Sequence, residues 1–401
     1  MRGQDTSRWV CVFNRNRDDY QVALALHEAG LLETLVTDFY RSDSPAPWMP
    51  AALRRLHHDG LPRARVTSSL LPFLIQAAAQ QLKLPMRHVF PRTDHMLAMR
   101  GARLASRRGA HLYCYGNYVP PRSARSAATL LIDFEFHPHT AMTYDALRRD
   151  AENYPQVAAS FAQETRDLGR ERVVEAWRSA DAVVCASTMT RRSLEYAGCD
   201  PALITVIPYG CTPTETAVRR LPAGACRFLF VGQGIQRKGL HHLLLAWPAL
   251  AAAGAELTLV CYRIDPGIAE MARQPGITLL GRQRRSDLDA LYAAADVFVM
   301  PSIVEGFGLA YLEALAAGCH VIGTPNTGLP DLPYADFASS LVPVGDIAAL
   351  AERMLYLAER KRAGLLDPDA IAGETRRWQW SDFRRAVAEH ARLQVRCNAG
   401  G

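Results

Sequence analysis

Two glutamates eight positions apart, Glu305 and Glu313, have the type and spacing that could do chemistry. Between them the sequence predicts a turn at Gly306 and Gly308, followed by a helix in which apolar residues repeat with helical spacing. One carboxylate then lies just before the helix, and the other lies more than one turn inside it. Carboxylates placed in this way can accept hydrogen bonds from hydroxyl groups on two sides of a single ligand.

The start of this helix is also a candidate anion site. The backbone amides of Phe307, Gly308, Leu309 and Ala310 are predicted to form the helix N-terminus, where unpaired N–H groups and the positive end of the helix dipole attract a diphosphate. A diphosphate with a hydroxyl-bearing ring at each end is a nucleotide-sugar. The alternative that the spacing leaves open is an ordinary buried strand–turn–helix unit with two solvated glutamates.

The surrounding stretch, PSIVEGFGLAYLEALAAGCHVI at positions 301–322, resembles the donor-binding signature of the retaining glycosyltransferases of family 4. The resemblance covers nearly the whole chain. It implies a GT-B fold, in which two Rossmann-like, doubly wound α/β domains face a cleft and a C-terminal helix crosses back to the first domain. It also implies that Glu305 orients hydroxyl groups of the donor sugar and that Glu313 holds the ribose.

A strand–loop–helix earlier in the second half resembles the part of the family's donor site that binds the phosphates. It begins at Gly232, and Lys238 matches the family lysine. The family arginine often follows the glycine directly, but that position here is Gln233, so Arg237 is the expected substitute. Fixed cations stabilise the growing charge of a diphosphate leaving group. The alternative is that Arg237 and Lys238 are ordinary surface cations.

Two further loops are expected to approach the nucleoside. Arg282 follows a predicted strand at Thr278–Leu280 and resembles the loop whose backbone holds the base. Thr324, Asn326 and Thr327 end the strand after the signature and are predicted to lie near the base or ribose.

In the first half, the segment DFEFHPH at positions 133–139 follows a strand. It resembles the place where many family members carry a histidine beside the donor sugar. We predict His137 for this role because it comes first after the strand. His139 is equally well explained as an ordinary loop histidine, and an HxH pair could also bind a metal, although further cysteine or histidine ligands are absent from the neighbouring sequence.

The triplet Asp287–Asp289 is a DxD in letters, a pattern that can bind a metal. It follows Ser286 at the start of a predicted helix, where it is better explained as first-turn acidic residues after an N-cap. We therefore expect neither a metal nor another cofactor, and the nucleotide-sugar would be a co-substrate. The GT-B resemblance implies the same.

The loop after the first strand departs from the family. Many members have a Gly-Gly turn there that touches the diphosphate, whereas this chain has NRNRDD at positions 14–19. Arg15 or Arg17 could take over the anion contact or bind a charged acceptor. The alternative is a solvated polar loop.

Length and pattern predict two αβ halves that position these residues. A chain of 401 residues favours two domains, and strands that alternate with helices favour parallel, doubly wound sheets. We predict an acceptor-binding domain at 1–212, a donor-binding domain at 213–377 and a returning helix at 378–401. The Pro-, Thr- and Arg-rich stretch from Thr212 to Ala225 is the predicted linker.

Composition bears on the location of the protein. Nine scattered cysteines without a CxxC pair suggest reduced thiols in a cytoplasm. The N-terminus lacks the apolar core of a signal peptide, and the longest apolar runs are too short to span a bilayer. We expect a cytoplasmic protein.

Positive charge is concentrated in the first half. Between Arg41 and Arg108 there are 12 Arg and Lys against 3 acidic residues, a balance of +9 within a chain whose net charge is +6. The apolar run Leu70–Leu84 lies in the same segment. This combination predicts peripheral contact with the inner face of an anionic membrane and a lipid-linked acceptor. The alternatives are a packed amphipathic helix with solvated arginines or, with less support because a binding motif is lacking, nucleic acid.

The combined prediction is a retaining glycosyltransferase that moves a sugar from a UDP- or GDP-linked donor to an acceptor hydroxyl in bacterial polysaccharide or glycolipid assembly. The resemblance implies front-face attack, in which the departing phosphate accepts the acceptor's proton. The alternatives are a GT-B sugar-nucleotide epimerase and a non-catalytic subunit that binds a glycan or a partner enzyme.

Overall fold

The computed structural model describes residues 7–41, 53, 56–168, 175–212 and 224–399, and these residues form two parallel sheets flanked by helices. The first sheet contains β1 Trp9–Val12, β2 Leu32–Thr37, β3 Val66–Ser68, β4 His111–Tyr115, β5 Leu131–Glu135, β6 Ala182–Cys185 and β7 Ile204–Val206. The second contains β8 Arg227–Val231, β9 Glu256–Val260, β10 Ile277–Leu280, β11 Val297–Val299, β12 His320–Gly323 and β13 Ser339–Leu341.

Helices cover these sheets. They are α1 Gln21–Glu28, α2 Leu70–Gln81, α3 Phe90–Arg108, α4 Thr140–Asn153, α5 Ala158–Leu168, α6 Thr188–Tyr196, α7 Leu240–Ala252, α8 Pro266–Met271, α9 Arg285–Ala294, α10 Leu309–Ala316, α11 Ile347–Arg362, α12 Pro368–Glu374 and α13 Trp380–Ala399. None of the helices described combines the length and the apolar character that crossing a membrane requires.

The strand orders confirm two doubly wound sheets. The first sheet has the order β3-β2-β1-β4-β5-β6-β7 and the second β10-β9-β8-β11-β12-β13, with every assigned pair parallel. Strands β1, β6, β11 and β12 are buried along their whole length, because helices cover both faces of such sheets. The strand order reverses between β1 and β4 and between β8 and β11, and ligands of open α/β sheets bind beyond the carboxyl ends of strands at such points.

The C-terminal helix crosses back to the first domain, as predicted. On α13, Arg384 donates from Nε to Glu28 Oε2 at 2.8 Å and from Nη1 to Gln21 Oε1 at 2.8 Å, so it binds both ends of α1. Phe383 packs against Tyr209 and Phe134 of the first domain, with ring centroids 5.4 Å and 6.3 Å apart.

Two local predictions differ from the structure or lie beyond it. The sequence pattern of Arg172–Ser179 also predicts a helix, whereas the structure has a single 3-10 turn at Ala176–Ser179, and residues 169–174 lie outside the described residues. Most of the predicted linker, residues 213–223, also lies outside them, so the domain boundaries stay predictions. All nine cysteines are free thiols, and only Cys397 is exposed.

Candidate active site

The centre of the site is a carboxylate that two cations share. Glu305 follows β11, whereas Arg237 and Lys238 follow β8, its neighbour in the sheet. Glu305 Oε2 accepts hydrogen bonds from Arg237 Nη1, at 3.1 Å, and from Lys238 Nζ. The structure therefore brings together three residues that the sequence placed 67 and 68 positions apart.

Opposite charges fix the ionisation of this cluster. Burial acts to raise the pKa of Glu305, but the charges of Lys238 and Arg237 outweigh it and lower the pKa to about 2. Burial lowers the pKa of Lys238, and the charge of Glu305 opposes that shift. Glu164 of α5 adds a second carboxylate, because its Oε1 accepts from the Arg237 amide at 3.2 Å. Two cations and two carboxylates thus face one another.

The loop between β8 and α7 can reach Glu305 because of a glycine. Gly239 has φ of +65°, and a Cβ there would lie 1.9 Å from the carbonyl oxygen of Pro301. Only glycine permits that approach. The Arg237 carbonyl also accepts from the Ile303 amide at 2.9 Å. This hydrogen bond holds the loop that carries Arg237 and Lys238, here called the cation loop, against the segment that leads to Glu305.

Helix α10 begins as the sequence predicted. Gly308 is its N-cap with φ of +93°, and the amides of Leu309 and Ala310 open the helix. Phe307 is buried against Tyr209, with ring centroids 5.2 Å apart. The positive end of the helix dipole therefore lies in the same loop as Glu305.

Gly306 brings this loop against the first domain rather than leaving it open. Its carbonyl oxygen accepts from Ser187 Oγ and, at 3.2 Å, from Thr190 Oγ1. A Cβ at Gly306 would lie 2.1 Å from the carbonyl oxygen of Phe136 and 3.4 Å from the Cα of His137. The predicted His137 is thereby adjacent to the segment that carries Glu305.

His137 and Arg17 occupy the first-domain side of the cleft. The ring of His137 is open to solvent at its surface and packs 4.3 Å from the ring of Phe136, over which the guanidinium of Arg17 lies at 4.6 Å. Partial desolvation between the two domains, together with the charges of Arg237, Arg17 and Lys238, lowers the pKa of His137, and the charge of Glu305 opposes this shift. The imidazole is therefore neutral at pH 7.

Glu313 lies inside α10 and is already bonded on both oxygens. Its Oε1 accepts from Arg285 Nη1 at 2.5 Å, and its Oε2 accepts from Tyr292 Oη at 3.0 Å. Its side chain is 31% exposed, so a ligand can still reach it.

The other predicted donor residues lie at the ends of β8 and β10. The Gly232 amide donates to the Val260 carbonyl at 3.0 Å, and the Gln233 side chain donates to Tyr262 Oη. Arg282 is exposed in the loop after β10. Gln233, which stands at the usual position of the family arginine, is thus held by a neighbouring tyrosine.

Residues predicted near the base or ribose brace the Glu305 loop. Thr324 Oγ1 donates to the Ser302 carbonyl at 2.6 Å, Thr327 Oγ1 donates to the Thr324 carbonyl at 2.9 Å, and both threonines are buried. Asn326 Nδ2 donates to the Ile303 carbonyl at 3.0 Å. Both threonine hydroxyls are thus already bonded within this loop, and their approach to the base or ribose stays a prediction.

The DxD triplet is a surface feature. Asp287 pairs with Arg284 at 3.4 Å and Asp289 with Arg285 at 2.9 Å, both on the exposed face of α9. The sequence suggested Ser286 as the N-cap, but the helix begins at Arg285 and its N-cap is Arg284.

His139 has a structural role at the start of a helix. It is the N-cap of α4, where its Nδ1 accepts from the Ala141 amide at 3.3 Å, and its own amide donates to Ser193 Oγ at 2.8 Å. Neither His139 nor His137 belongs to the only group in the described part of the chain that could hold a metal ion.

The loop after β1 keeps an unusual backbone without the family's glycines. Arg15, Asp18, Asp19 and Tyr20 all have φ between +44° and +64°, a strained region for residues with a Cβ. The Arg15 amide donates to Asp38 Oδ1 and its guanidinium to Gln76 Oε1, each at 2.9 Å. Of the two predicted arginines, Arg17 is therefore the one that faces the cleft.

Sequence reasoning missed the first-domain partners of the cation loop. They are Glu164 and Ser160 on α5 and Asp150 on α4, and Asp150 also contacts His241 and His242 of α7. The adjacent histidines after Gly239 were the available signal. Their partner lies about ninety positions away in another domain, and periodicity does not connect residues over that distance.

Comparisons with known proteins relate the chain to a group of enzymes. Residues 225–360 match the family model described as glycosyl transferases group 1. WcaL of Escherichia coli K12, a glycosyltransferase provisionally assigned to colanic acid biosynthesis, is 27% identical over 216 residues, which is 50% of this chain and 52% of WcaL. Alpha-maltose-1-phosphate synthase of Mycobacterium tuberculosis H37Rv is 29% identical over 288 residues, 61% of this chain and 72% of that protein.

Among solved structures, Anabaena Alr3699/HepE in complex with UDP aligns with a TM-score of 0.55 and 16% identity, over 96% of this chain and 99% of HepE. This likeness shows a shared fold. The matches to the first curated relatives span about half of those relatives' own length.

Proposed function

We propose that the chain is a retaining, metal-independent glycosyltransferase, a proposal supported by the match of residues 225–360 to the group 1 glycosyltransferase model and by its GT-B fold. It transfers a sugar from a UDP- or GDP-linked donor to an acceptor hydroxyl. The observation that carries the proposal is the convergence of Arg237 and Lys238 on Glu305 beside the N-terminus of α10, with His137 across the cleft.

The cluster suits a diphosphate leaving group. Arg237 and Lys238 are fixed by their contacts before a ligand arrives, so they can stabilise developing phosphate charge without reorganising. The α10 amides contribute further N–H donors. Because charge on the diphosphate grows as the sugar departs, these groups bind the transition state more tightly than the ground state.

The remaining residues orient the donor. Glu305 is ionised and buried, so it is a strong acceptor for sugar hydroxyls. The neutral His137 can donate or accept a hydrogen bond near the reacting carbon. Glu313 binds the ribose, and Tyr292 and Arg285 hold its carboxylate in place. The acceptor attacks on the leaving-group side, and the departing phosphate takes its proton.

We further propose that the enzyme works against an anionic membrane in bacterial polysaccharide or glycolipid assembly, as the names of WcaL and AmsK suggest for those relatives. The support is α2, whose residues Pro72, Gln76 and Ala79 are buried while Leu71 and Leu74 are 57% and 58% exposed. Leu82, just beyond the helix, is 71% exposed. Apolar residues exposed together within a strongly basic segment are typical of a membrane contact.

A donor panel tests the proposed function. UDP-, GDP- and dTDP-sugars are added in turn, and the melting temperature is measured. A donor at one hundred times its dissociation constant should stabilise the fold by about 2.7 kcal/mol. A response to a UDP- or GDP-sugar is the expected result, and no response to either of these two classes would contradict the proposal.

A further inference from the structure

The loop that carries the two cations is held by the opposite domain. The Gln236 amide donates to Ser160 Oγ at 3.0 Å, and the Arg237 amide donates to Glu164 Oε1 at 3.2 Å. Ser160 in turn bonds Asp265 Oδ2 at 2.5 Å. Two consecutive backbone amides of the cation loop thus donate hydrogen bonds to side chains of α5, which belongs to the first domain.

Asp150 of α4 is the centre of this contact. Its Oδ2 accepts from Gln236 Nε2 at 2.8 Å and lies 3.0 Å from His241 Nε2, and its Oδ1 lies 2.7 Å from His242 Nε2. The carboxylate is buried, and both histidines are almost completely inaccessible. Although burial acts to raise it, the hydrogen bonds from His241 and His242 hold the pKa of Asp150 well below its usual range.

The same three residues could be considered as metal ligands, but the geometry favours hydrogen bonds. Nitrogen and oxygen ligands about 2.0–2.2 Å from zinc in a tetrahedral site are separated by roughly 3.3 Å, whereas His242 Nε2 and Asp150 Oδ1 are 2.7 Å apart.

The contact between Asp150 and Gln236 helps to position Arg237 and Lys238. Gln236 is adjacent to Arg237 and two residues before Lys238, and its side-chain amide is fixed between Asp150 and the Leu147 carbonyl, at 2.8 Å from each. A displacement of the first domain would therefore release the cation loop as well as widen the cleft. Lids and closures commonly complete a catalytic arrangement in this way.

We propose that Asp150 is a positioning residue whose carboxylate, together with Ser160 and Glu164, docks the segment 236–242 on the first domain, so that domain closure fixes the backbone that carries Arg237 and Lys238 in its diphosphate-binding geometry. The inference rests on the proposed function in taking a diphosphate as the ligand. It adds that the acceptor domain controls the donor site.

Amide hydrogen exchange tests the docking without any ligand. Asp150→Asn keeps the shape of the side chain but replaces one acceptor oxygen with a donor that faces the histidines and Gln236. The amides of Gln236 and Arg237 should then exchange at least about tenfold faster, while sheet amides such as Val299 keep their protection. Glu152→Gln is the matched control, because Glu152 lies on the same helix and pairs only with Arg148.

Nucleotide affinity tests the consequence of the docking. UDP and GDP are titrated in turn, and the dissociation constant of the one that binds should rise at least about tenfold in Asp150→Asn and stay unchanged in Glu152→Gln. Unchanged exchange at Gln236 and Arg237, or faster exchange with unchanged affinity, would overturn the inference.

The outcomes separate the two proposals. If the wild type binds neither UDP nor GDP, the proposed function is contradicted, and unchanged exchange still overturns the docking on its own. If Asp150→Asn does not fold, Ser160→Ala replaces it, since that variant removes only the acceptor of the Gln236 amide. It should give the same faster exchange, and normal exchange in Ser160→Ala would overturn the inference.

Discussion

At the scale of single residues, the Oε2 atom of Glu305 is central to the site, because it accepts from both cations that are proposed to bind the diphosphate. A diphosphate must therefore share Arg237 and Lys238 with a carboxylate. The arrangement keeps buried cations paired until the ligand arrives, and unpaired buried charges are costly.

Because Glu305 shares the two cations with the ligand, Glu305→Gln should affect nucleotide binding and turnover in different ways. The variant removes the competing negative charge, so the free nucleoside diphosphate should bind as tightly as in the wild type or tighter. Turnover should fall by at least about tenfold, because a neutral amide holds sugar hydroxyls less strongly than a carboxylate. Calorimetry and a turnover assay measure the two properties. Weaker nucleotide binding would show that Glu305 does not compete for the cations.

Glu313→Ala should act on the nucleotide. If Glu313 accepts from the ribose hydroxyls, the variant loses charge-assisted hydrogen bonds of roughly 1.5–3 kcal/mol each. Affinity for the nucleoside diphosphate should fall at least about tenfold in calorimetry. Glu270→Ala is the control, since Glu270 is an exposed glutamate of the same domain that pairs with Arg273. Normal affinity in a folded Glu313→Ala protein would remove its ribose assignment.

Residue types and local motifs were sufficient to predict Glu305, Lys238, Arg237 and the start of α10, because each lies beside a strand end with a glycine turn. They were not sufficient for Glu164 or Asp150. Those two side chains act through contacts across the cleft, and such contacts depend on how two separately wound domains meet.

At the scale of elements, the strand predicted at Thr278–Leu280 agrees with β10 to within one residue, because short apolar runs between turn signals identify strands of a parallel sheet. Helix α2 shows where patterning is insufficient. Its apolar residues are numerous enough to suggest a buried helix, yet its packed face is Pro72, Gln76 and Ala79 while its leucines are exposed. Only the fold determines which face is covered.

This exposure sharpens the membrane prediction. The variant suggested by charge alone replaces four arginines with serine, but Arg54 and Arg55 lie outside the described residues, and Arg63 and Arg65 bind the carbonyls of Val66 and Leu32. Leucines are therefore the better target for the test.

Leu71→Ser with Leu74→Ser should release the protein from anionic vesicles and leave nucleotide affinity unchanged, because these leucines lie in the first domain, away from the donor residues. Salt should weaken binding of the wild type, since screening reduces the attraction of lysines and arginines to the headgroups. Leu393→Ser is the control, because Leu393 is a similarly exposed leucine on α13. Sedimentation with vesicles measures the effect. A wild type that ignores anionic vesicles at low salt would exclude the membrane contact.

At the scale of the whole molecule, the two domains and the returning helix bring Arg237, Lys238 and the N-terminus of α10 together at the proposed donor site. Transfer should therefore continue in excess EDTA, because Arg237, Lys238 and the α10 N-terminus supply the charge that a metal would otherwise provide. Activity with and without EDTA measures this. Loss of activity that magnesium or manganese restores would refute metal-independent transfer.

The central claim is transfer of a sugar from a nucleotide-sugar, and the release of nucleoside diphosphate tests it most directly. Wild-type protein is incubated with the donor that raises its melting temperature, and the released diphosphate and the product anomer are followed by NMR. We predict that the diphosphate is released, that the product keeps the donor's anomeric configuration, and that Lys238→Ala loses this release. Conversion of the donor to an epimer without diphosphate release, or no turnover of any bound donor, would contradict it.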